Sequence, residues 1–538
     1  VTHTFFSSIT NFDVLALMVQ IMNGGNRPMT IPSYARLGTP ALLAFGVTLL
    51  MAGCGTGPQA EFKFRKSTGE LIPEVNKAFK KTLKDSFGTP QELVAWETFP
   101  IEYGGVQGTV ESTGTTDSSF TVALLGNVKL AAKGKPVLWL TGANAGTKTA
   151  ETIVNGFNSE KNELTIARGS AKPEVGDRFI IAHGTDLQFG RIVYMKNCMH
   201  CHGVTGDGAG PTGEFLNPRP RDYRHGQFKF TSTKSGEKAT RDDLHRILQN
   251  GIPGTYMPSF LLLGERETTS VVEYVRWLAM RGEFEKRMVE ELTSDYSTPA
   301  IADAASKAEA AYREKRKQHD ELKKSQGKNS KEKLPEIEKP LSLAKSLKEA
   351  VNTFKAFVVS HDYDAAVTET AGLVSSAWVR AEDASSVIHP SIHRVEDTSE
   401  SRERGRLLYM GDKTKCYTCH GPTGRGDGVA NEDFWAMPGS SQKYERRGLH
   451  DEWGNPLKPR NLTLGQYRGG RRPVDLFRRM YAGIKGTPMP AFGGTALTDE
   501  QLWDLVNYVM SLPYEPKGSP VQKHEVDGVA STVEKSSH

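Results

Sequence analysis

The chain has 538 residues, and its 68 Lys and Arg against 63 Asp and Glu leave a net charge of only +5. At roughly 100–200 residues per domain this length implies several domains, and a mean hydropathy of −0.46 with 37% hydrophobic residues excludes a polytopic membrane protein. Nine Lys/Arg against four Asp/Glu between Ala311 and Lys333 supply an excess equal to the whole net charge, which argues against nucleic-acid binding, since that needs a basic face across a folded domain.

Residues 1–54 read as an address. The longest apolar stretch there, Ala41 to Gly53, follows Arg27 and Arg36 and ends at Cys54. It is shorter than the ~18–20 residues of a spanning helix, and a short apolar core behind positive charge is an export signal. The ending Leu50-Met51-Ala52-Gly53-Cys54 resembles a bacterial lipobox, which implies cleavage before Cys54 and lipidation of its thiol. Residues 1–21 contain Asp13 and lack a basic start, which leaves open a true start at Met22 or Met29. A diacyl anchor holds a chain to a membrane without a spanning helix, so the expectation is a lipid-anchored protein on the periplasmic side of a bacterial membrane.

Residues 55–100 are polar and basic and read as a tether with some helix. Residues 101–185 change to short β-branched runs separated by turn residues: Phe120–Leu124, Pro136–Leu140, Glu163–Ile166 and Arg178–Ala182. That pattern predicts a small antiparallel β module, with no catalytic spacing in it.

The chain beyond it contains a repeat. Phe189-Gly-Arg-Ile-Val-Tyr-Met195 matches Arg404-Gly-Arg-Leu-Leu-Tyr-Met410, and Cys198-Met-His-Cys-His-Gly203 matches Cys416-Tyr-Thr-Cys-His-Gly421. Gly251-Ile-Pro-Gly-Thr-Tyr-Met-Pro258 matches Gly483-Ile-Lys-Gly-Thr-Pro-Met-Pro490. The motifs recur in one order, so one fold occurs twice, over 186–290 and 396–515. Between them, 291–395 reads as a charged helical spacer, helical on both sides of Gln326–Ser330, with an apolar face that includes Leu347, Val351, Phe354 and Phe357. Residues 516–538 read as a disordered tail.

Cys-x-x-Cys-His is the attachment signature of c-type haem. Cysteines three apart lie on one helical turn, so both sulfurs reach the two vinyl groups on one porphyrin edge, and the adjacent His turns its imidazole to the iron. Cys198 and Cys201 with His202, and Cys416 and Cys419 with His420, therefore predict two haem c groups. Zinc is the rival, but each cluster offers only three Cys/His ligands apart from His200. With Cys54 in the lipobox, none of the five cysteines remains for a disulfide.

The other axial ligand is expected from the Gly-x-x-Met-Pro motifs. Met257 follows His202 by 55 residues and Met489 follows His420 by 69, each on a loop stiffened by Pro and each followed by an amphipathic helix. His225 and His245 are rivals to Met257 without matching histidines in the second repeat. Met437 lies only 17 residues beyond His420, too little chain to build a pocket and return to the far side of the ring.

Each repeat resembles a class I c-type cytochrome domain. The resemblance implies a mostly α architecture, two class I cytochrome c domains joined by the helical spacer and preceded by the β module. It further implies that the helix before each attachment site crosses the helix after each Met loop through a Gly/aromatic contact. Gly190, Tyr194, Gly405 and Tyr409 match the first helix; Trp277 and Tyr508 are candidate partners on the last. The last helix opens as Thr498-Asp-Glu-Gln501, a capping box, with Leu502, Leu505, Val506 and Val509 as its apolar face. The second repeat departs by a longer loop, Asn431 to Leu457, expected either to cover a haem edge or to form a partner surface.

His/Met-held haem iron belongs to electron-transfer cytochromes. The leading expectation is a membrane-tethered electron carrier or the cytochrome subunit of a respiratory complex, with redox proteins as partners and no nucleic acid. The alternative is a dihaem oxidoreductase of peroxidase-like type, with one reactive haem. A redox sensor that signals through the spacer ranks last, because no signalling domain follows.

Overall fold

A computed structural model describes residues 60–113, 118–126, 128–142, 152–167, 173–325, 336–437 and 440–515. The export segment with Cys54, the Gln326–Ser330 break and the 516–538 tail lie outside the described residues. No described helix is long and apolar enough to cross a membrane.

Where a tether was expected, residues 60–101 instead pack into a core. Helix α1 (Pro73–Phe87) starts on Pro at its first turn, where a missing N–H costs nothing. Its Val75, Phe79, Leu83 and Phe87 recur at helical spacing and are all buried. They join Phe62 and Phe99 against the first repeat.

The β module follows as β1 (Val106–Thr113), β2 (Ser119–Leu125), β3 (Val137–Trp139), β4 (Ile153–Asn158), β5 (Glu163–Ala167) and β6 (Arg178–Ile181). The strands form one antiparallel sheet in the order β3-β6-β1-β2-β5-β4. Its two edges approach each other at a bridge between Pro136 and Ile153, which curls the sheet into a half-barrel around Phe120, Trp139, Leu164 and Phe179.

In the first repeat, α2 (Thr185–Asn197) leads into the attachment turn α3 (Met199–His202), and α4 (Arg241–Asn250) precedes the Met257 loop. Helix α5 (Glu265–Tyr296) closes the repeat and runs on to Tyr296. The spacer is α6 (Thr298–Ser325), α7 (Leu343–Val359) and α8 (Asp362–Ala381). It is less a spacer than part of the first core, which takes in Phe354, Tyr363, Val374 and Trp378. From Val271 to Glu285 helix α5 is buried on nearly all sides, so its charges there must be paired. Glu283 accepts from Trp378 Nε1 of α8 at 3.2 Å and pairs with Lys238 at 2.8 Å. Glu273 pairs with Arg241 at 2.6 Å and Arg276 at 3.0 Å.

The second repeat runs α9 (Ser399–Met410), α10 (Cys416–His420), a hairpin of β7 (Leu449–His450) and β8 (Pro456–Leu457), α11 (Pro473–Ala482) and α12 (Asp499–Ser511). Thr498 and Gln501 form the expected capping box on α12, and Leu502, Leu505, Val506 and Val509 are buried.

In each repeat the first and last helices cross at a glycine. A Cβ on Gly190 would stand 2.5 Å from the Ser270 carbonyl carbon, and one on Gly405 would stand 2.7 Å from that of Asp504. The aromatic partners are Tyr194 with Tyr274, centroids 5.1 Å apart, and Tyr409 with Tyr508 at 5.4 Å. The expected Trp277 is displaced from this role, because residues 60–101 give it other company: it packs on Phe62 and Phe87.

Candidate haem sites and the interface between them

The attachment turns are built alike. Tyr194 Oη donates to Gly203 O at 2.8 Å and Tyr409 Oη to Gly421 O at 2.7 Å. Each tyrosine of the helix crossing thus also fixes the chain just past the His. Gly208 N–H donates back to His202 O at 3.0 Å and Gly426 N–H to His420 O at 2.7 Å. Both glycines have positive φ, so the turn demands residues without a Cβ penalty.

The Met loops also repeat bond for bond. Ile252 N–H donates to Met257 O at 3.1 Å and Ile484 N–H to Met489 O at 3.2 Å. Thr255 Oγ1 accepts from Met257 N–H at 3.1 Å and Thr487 Oγ1 from Met489 N–H at 3.3 Å. The Thr of Gly-Thr-x-Met is therefore the residue that shapes the loop.

In the first repeat Cys198, Cys201, His202 and Met257 all line one cavity of about 840 Å³, within the range that holds cofactor-sized ligands. His225 lines it too, as does His200 from an exposed position in the attachment turn, while His245 on α4 does not. In the second repeat Cys416 and Met489 pack against one core with Tyr409, Leu462 and Phe492. None of the four described cysteines forms a disulfide. Among the described residues no three His, Cys, Asp or Glu side chains converge to hold a bare metal ion.

Burial acts on the same groups. It pushes the Cys198 thiol up to about 12, with Cys201 adding to the rise, and it raises Cys416. Burial lowers His202 to about 4 and lowers His420, with a backbone carbonyl opposing in each case. Neutral imidazole is the form that binds a metal, and its second nitrogen needs a fixed acceptor. His420 Nδ1 has one in Arg460 O at 3.1 Å. The matching carbonyl in the first repeat is that of Arg221, which favours protonation of His202 in the same way but falls short of a full hydrogen bond. There Tyr223 also stacks on the imidazole, centroids 4.7 Å apart.

The residues present fit a haem. The first cavity brings two thiols, an imidazole and a thioether to one space, and Arg221 Nη1, from a residue lining it, is a buried donor without a partner, as befits the neighbourhood of an anionic group.

Arg221 and Arg460 were not singled out from sequence. The signal was present as Pro220-Arg221-Asp222 and Pro459-Arg460-Asn461, but the longer second loop sets the two at different distances from their histidines and hides the match. Their side chains do more than their carbonyls. Each Nε donates to the carbonyl of the Gln six residues on, Gln227 at 3.2 Å and Gln466 at 2.8 Å. Arg221 Nη2 then crosses to Lys485 O in the Met489 loop at 3.1 Å. The Arg460 guanidinium lies where a Cβ on Gly254 would point, in the Met257 loop. Two further matched cations cross likewise: Lys229 reaches Asp451 at 3.4 Å, and Arg468 Nη2 donates to Gly254 O at 3.4 Å. Lys485 Nζ enters the first repeat, donating to Thr231 and Thr233 Oγ1 at 2.9 Å each and to Glu237 O. The repeats thus meet through a pseudo-twofold face, each repeat's His-supporting arginine set against the other's Met loop.

The long loop of the second repeat reaches across to the haem site of the first. Asp451, Glu452, Trp453 and Asn455 line the first repeat's cavity.

Comparison with known proteins agrees with the duplicated plan. The cytochrome c family model matches residues 188–279 and again 403–513. No curated protein matches the chain. Among solved structures, a chain of the reducing HAO-like protein complex of Kuenenia stuttgartiensis is similar at 23% identity and a TM-score of 0.36, over 60% of this chain and 96% of that one. The chain carries two cytochrome c domains, and with them two covalently bound haem c groups.

Proposed function

We propose that this protein transfers single electrons through two haem c groups with His/Met axial ligation, and that electrons pass between the two within the chain. When bound, each group supplies one-electron Fe(II)/Fe(III) cycling. In this reading Cys198 and Cys201, and Cys416 and Cys419, hold the porphyrin edges as thioethers. His202 and His420 would bind the irons, the His420 ring held by the Arg460 carbonyl and the His202 ring by the stacked Tyr223. Met257 and Met489 would supply each iron's second protein ligand, which would leave no open position for oxygen or peroxide and would raise the potential. The observation that carries the reading is the convergence of Cys198, Cys201, His202 and Met257 on one cavity, with the Met loop built the same way in the second domain. The crossed interface favours internal transfer, because it sets the two Met loops against opposite domains.

The test is the optical spectrum of the oxidised and reduced holoprotein with a carbon monoxide challenge. Two low-spin haems without a carbon monoxide adduct support a carrier. A high-spin haem that reacts with peroxide would establish the peroxidase-like alternative instead. We further propose that Cys54 is lipidated and tethers the protein to the periplasmic side of a membrane, where its partners are other redox proteins of a respiratory chain. Substituting Cys54→Ala should release the protein into the soluble fraction; retention in the membrane would place the anchor elsewhere.

A further inference from the structure

The β7–β8 hairpin belongs to the second cytochrome domain, yet both domains hold its tip. Asp451 Oδ1 accepts from the N–H groups of Trp453 at 3.1 Å and Asn455 at 2.9 Å, closing the turn, while Oδ2 faces Lys229 Nζ of the first domain. Glu452 N–H donates to Gly486 O in the Met489 loop at 3.3 Å. Between these anchors lies Trp453. The Arg221 guanidinium stacks on its ring, 3.4 Å from the centroid, and His225 meets it edge-on at 5.3 Å. The ring fills the space where a Cβ on Gly486 would stand.

Trp453 lines the same cavity as Cys198, His202 and Met257, and its indole Nε1 is buried without a partner. A buried N–H without a partner is destabilising, so an acceptor belongs there. Arg221, Lys229 and Arg468 also line the cavity, against Glu452 and an Asp451 that is already paired with Lys229, and the Arg221 guanidinium lies directly on the indole ring. An anionic oxygen of whatever fills the cavity meets these conditions, and a haem offers two peripheral carboxylates.

We propose that the Trp453 indole N–H, from the second cytochrome domain, donates to a carboxylate of the haem held by the first, so that the second domain completes the first haem site. This rests on the reading that Met257 and His202 hold that haem. The donor offsets part of the carboxylate charge, which otherwise stabilises Fe(III). The indole also keeps water off the haem, and burial is one of the terms that sets a haem potential.

The experiment is a spectroelectrochemical titration of the full-chain holoprotein carrying Trp453→Phe, Trp453→Ala, Met257→His, or Trp453→Phe with Met257→His. Met257→His should lower one of the two midpoints and thereby mark the first haem. Trp453→Phe keeps the ring and loses the N–H; it should lower that same midpoint, in both the parent and the Met257→His background, and leave the other where it was. Trp453→Ala should lower it further. If Met257→His marks a haem and Trp453→Phe leaves that midpoint unmoved, or moves the other instead, the proposal is overturned. If Met257→His moves neither, the ligand assignment has failed and the proposal falls with it.

Discussion

Substituting Gly190→Ala should unsettle the first haem site without touching a haem ligand. A Cβ at residue 190 would stand 2.5 Å from the Ser270 carbonyl carbon, closer still to its oxygen, and 3.2 Å from Tyr274 Cβ. Ordinary carbon contacts sit at about 3.5–4.0 Å, so α2 and α5 would have to part by roughly 1 Å at their crossing. Overpacking a core costs about 1–3 kcal/mol, sometimes more. Here the obstruction is backbone and has no rotamer to yield, so we expect the upper end, about 3 kcal/mol. The strain would spread to Tyr194, which packs on Tyr274 and holds Gly203 O at 2.8 Å. The assay is urea unfolding of the holoprotein followed by far-ultraviolet circular dichroism, beside the optical signature of Met ligation. Gly372→Ala is the control: Gly372 lies inside α8 with nothing within 4 Å of a new Cβ, and helix propensity alone should stabilise it by up to about 1 kcal/mol. If Gly190→Ala unfolds at the wild-type urea concentration, or gains stability as Gly372→Ala does, the crossing is not the tight contact inferred.

Met257→Ala and Met489→Ala should each open one iron, lower its potential and allow one haem to bind carbon monoxide; an unchanged spectrum would remove that residue from the ligand set. Glu283→Ala should cost about 3 kcal/mol, because Lys238 and the Trp378 N–H lose a buried partner. The loss should appear as a lower melting temperature and faster proteolysis of the spacer, and wild-type resistance in both would show that α8 is held otherwise. Lys485 is lowered from 10.5 to about 8, chiefly by burial, with Asp243 opposing. Between those values the unfolded chain binds a proton that the folded one has lost, so stability should rise with pH from about 8 to about 10.5. Lys229, lowered to about 8 by burial and by Arg221, adds to the same rise. Urea midpoints measured across that window should climb, and Lys485→Met should flatten part of the climb; a fall with pH would contradict the burial of these lysines at the interface.

The parts of the fold dictated by local chemistry were legible in the sequence. Cys-x-x-Cys-His must keep its spacing to bond a porphyrin edge, Gly-Thr-x-Met-Pro must keep its turn, and the helix crossing must keep its glycine, so each stands out twice. The four apolar runs of the β module became β2, β3, β5 and β6 because alternation is itself a local pattern. Helix α1 was harder to read: its Val75, Phe79, Leu83 and Phe87 are spaced correctly, but Lys77, Lys80, Lys81 and Lys84 between them give the segment the look of a solvated tether. The Tyr274 contact was missed for a related reason, since a choice between Tyr274 and Trp277 depends on what else arrives at that surface, and residues 60–101 arrive from far away in the chain.

The interface between the domains was hidden by the same reasoning that exposed the repeat. Alignment of two copies highlights what each copy needs for itself, whereas a contact between copies is made by residues that in either copy alone look like ordinary surface charge. Arg221, Lys229, Arg460 and Arg468 all belong to this class. Arg221, Arg460 and Arg468 are set against the opposite Met loop and Lys229 against Asp451 of the opposite domain, and those contacts need both copies in one chain. The β7–β8 hairpin then breaks the symmetry. Through Trp453 the second domain enters the first haem cavity, and the corresponding stretch of the first domain, far shorter, carries no matching hairpin. Two domains built on one plan therefore hold their haems in different surroundings. Since burial and nearby charge are among the levers that set a haem potential, the two sites should differ in potential through this one insertion, without any change of ligand.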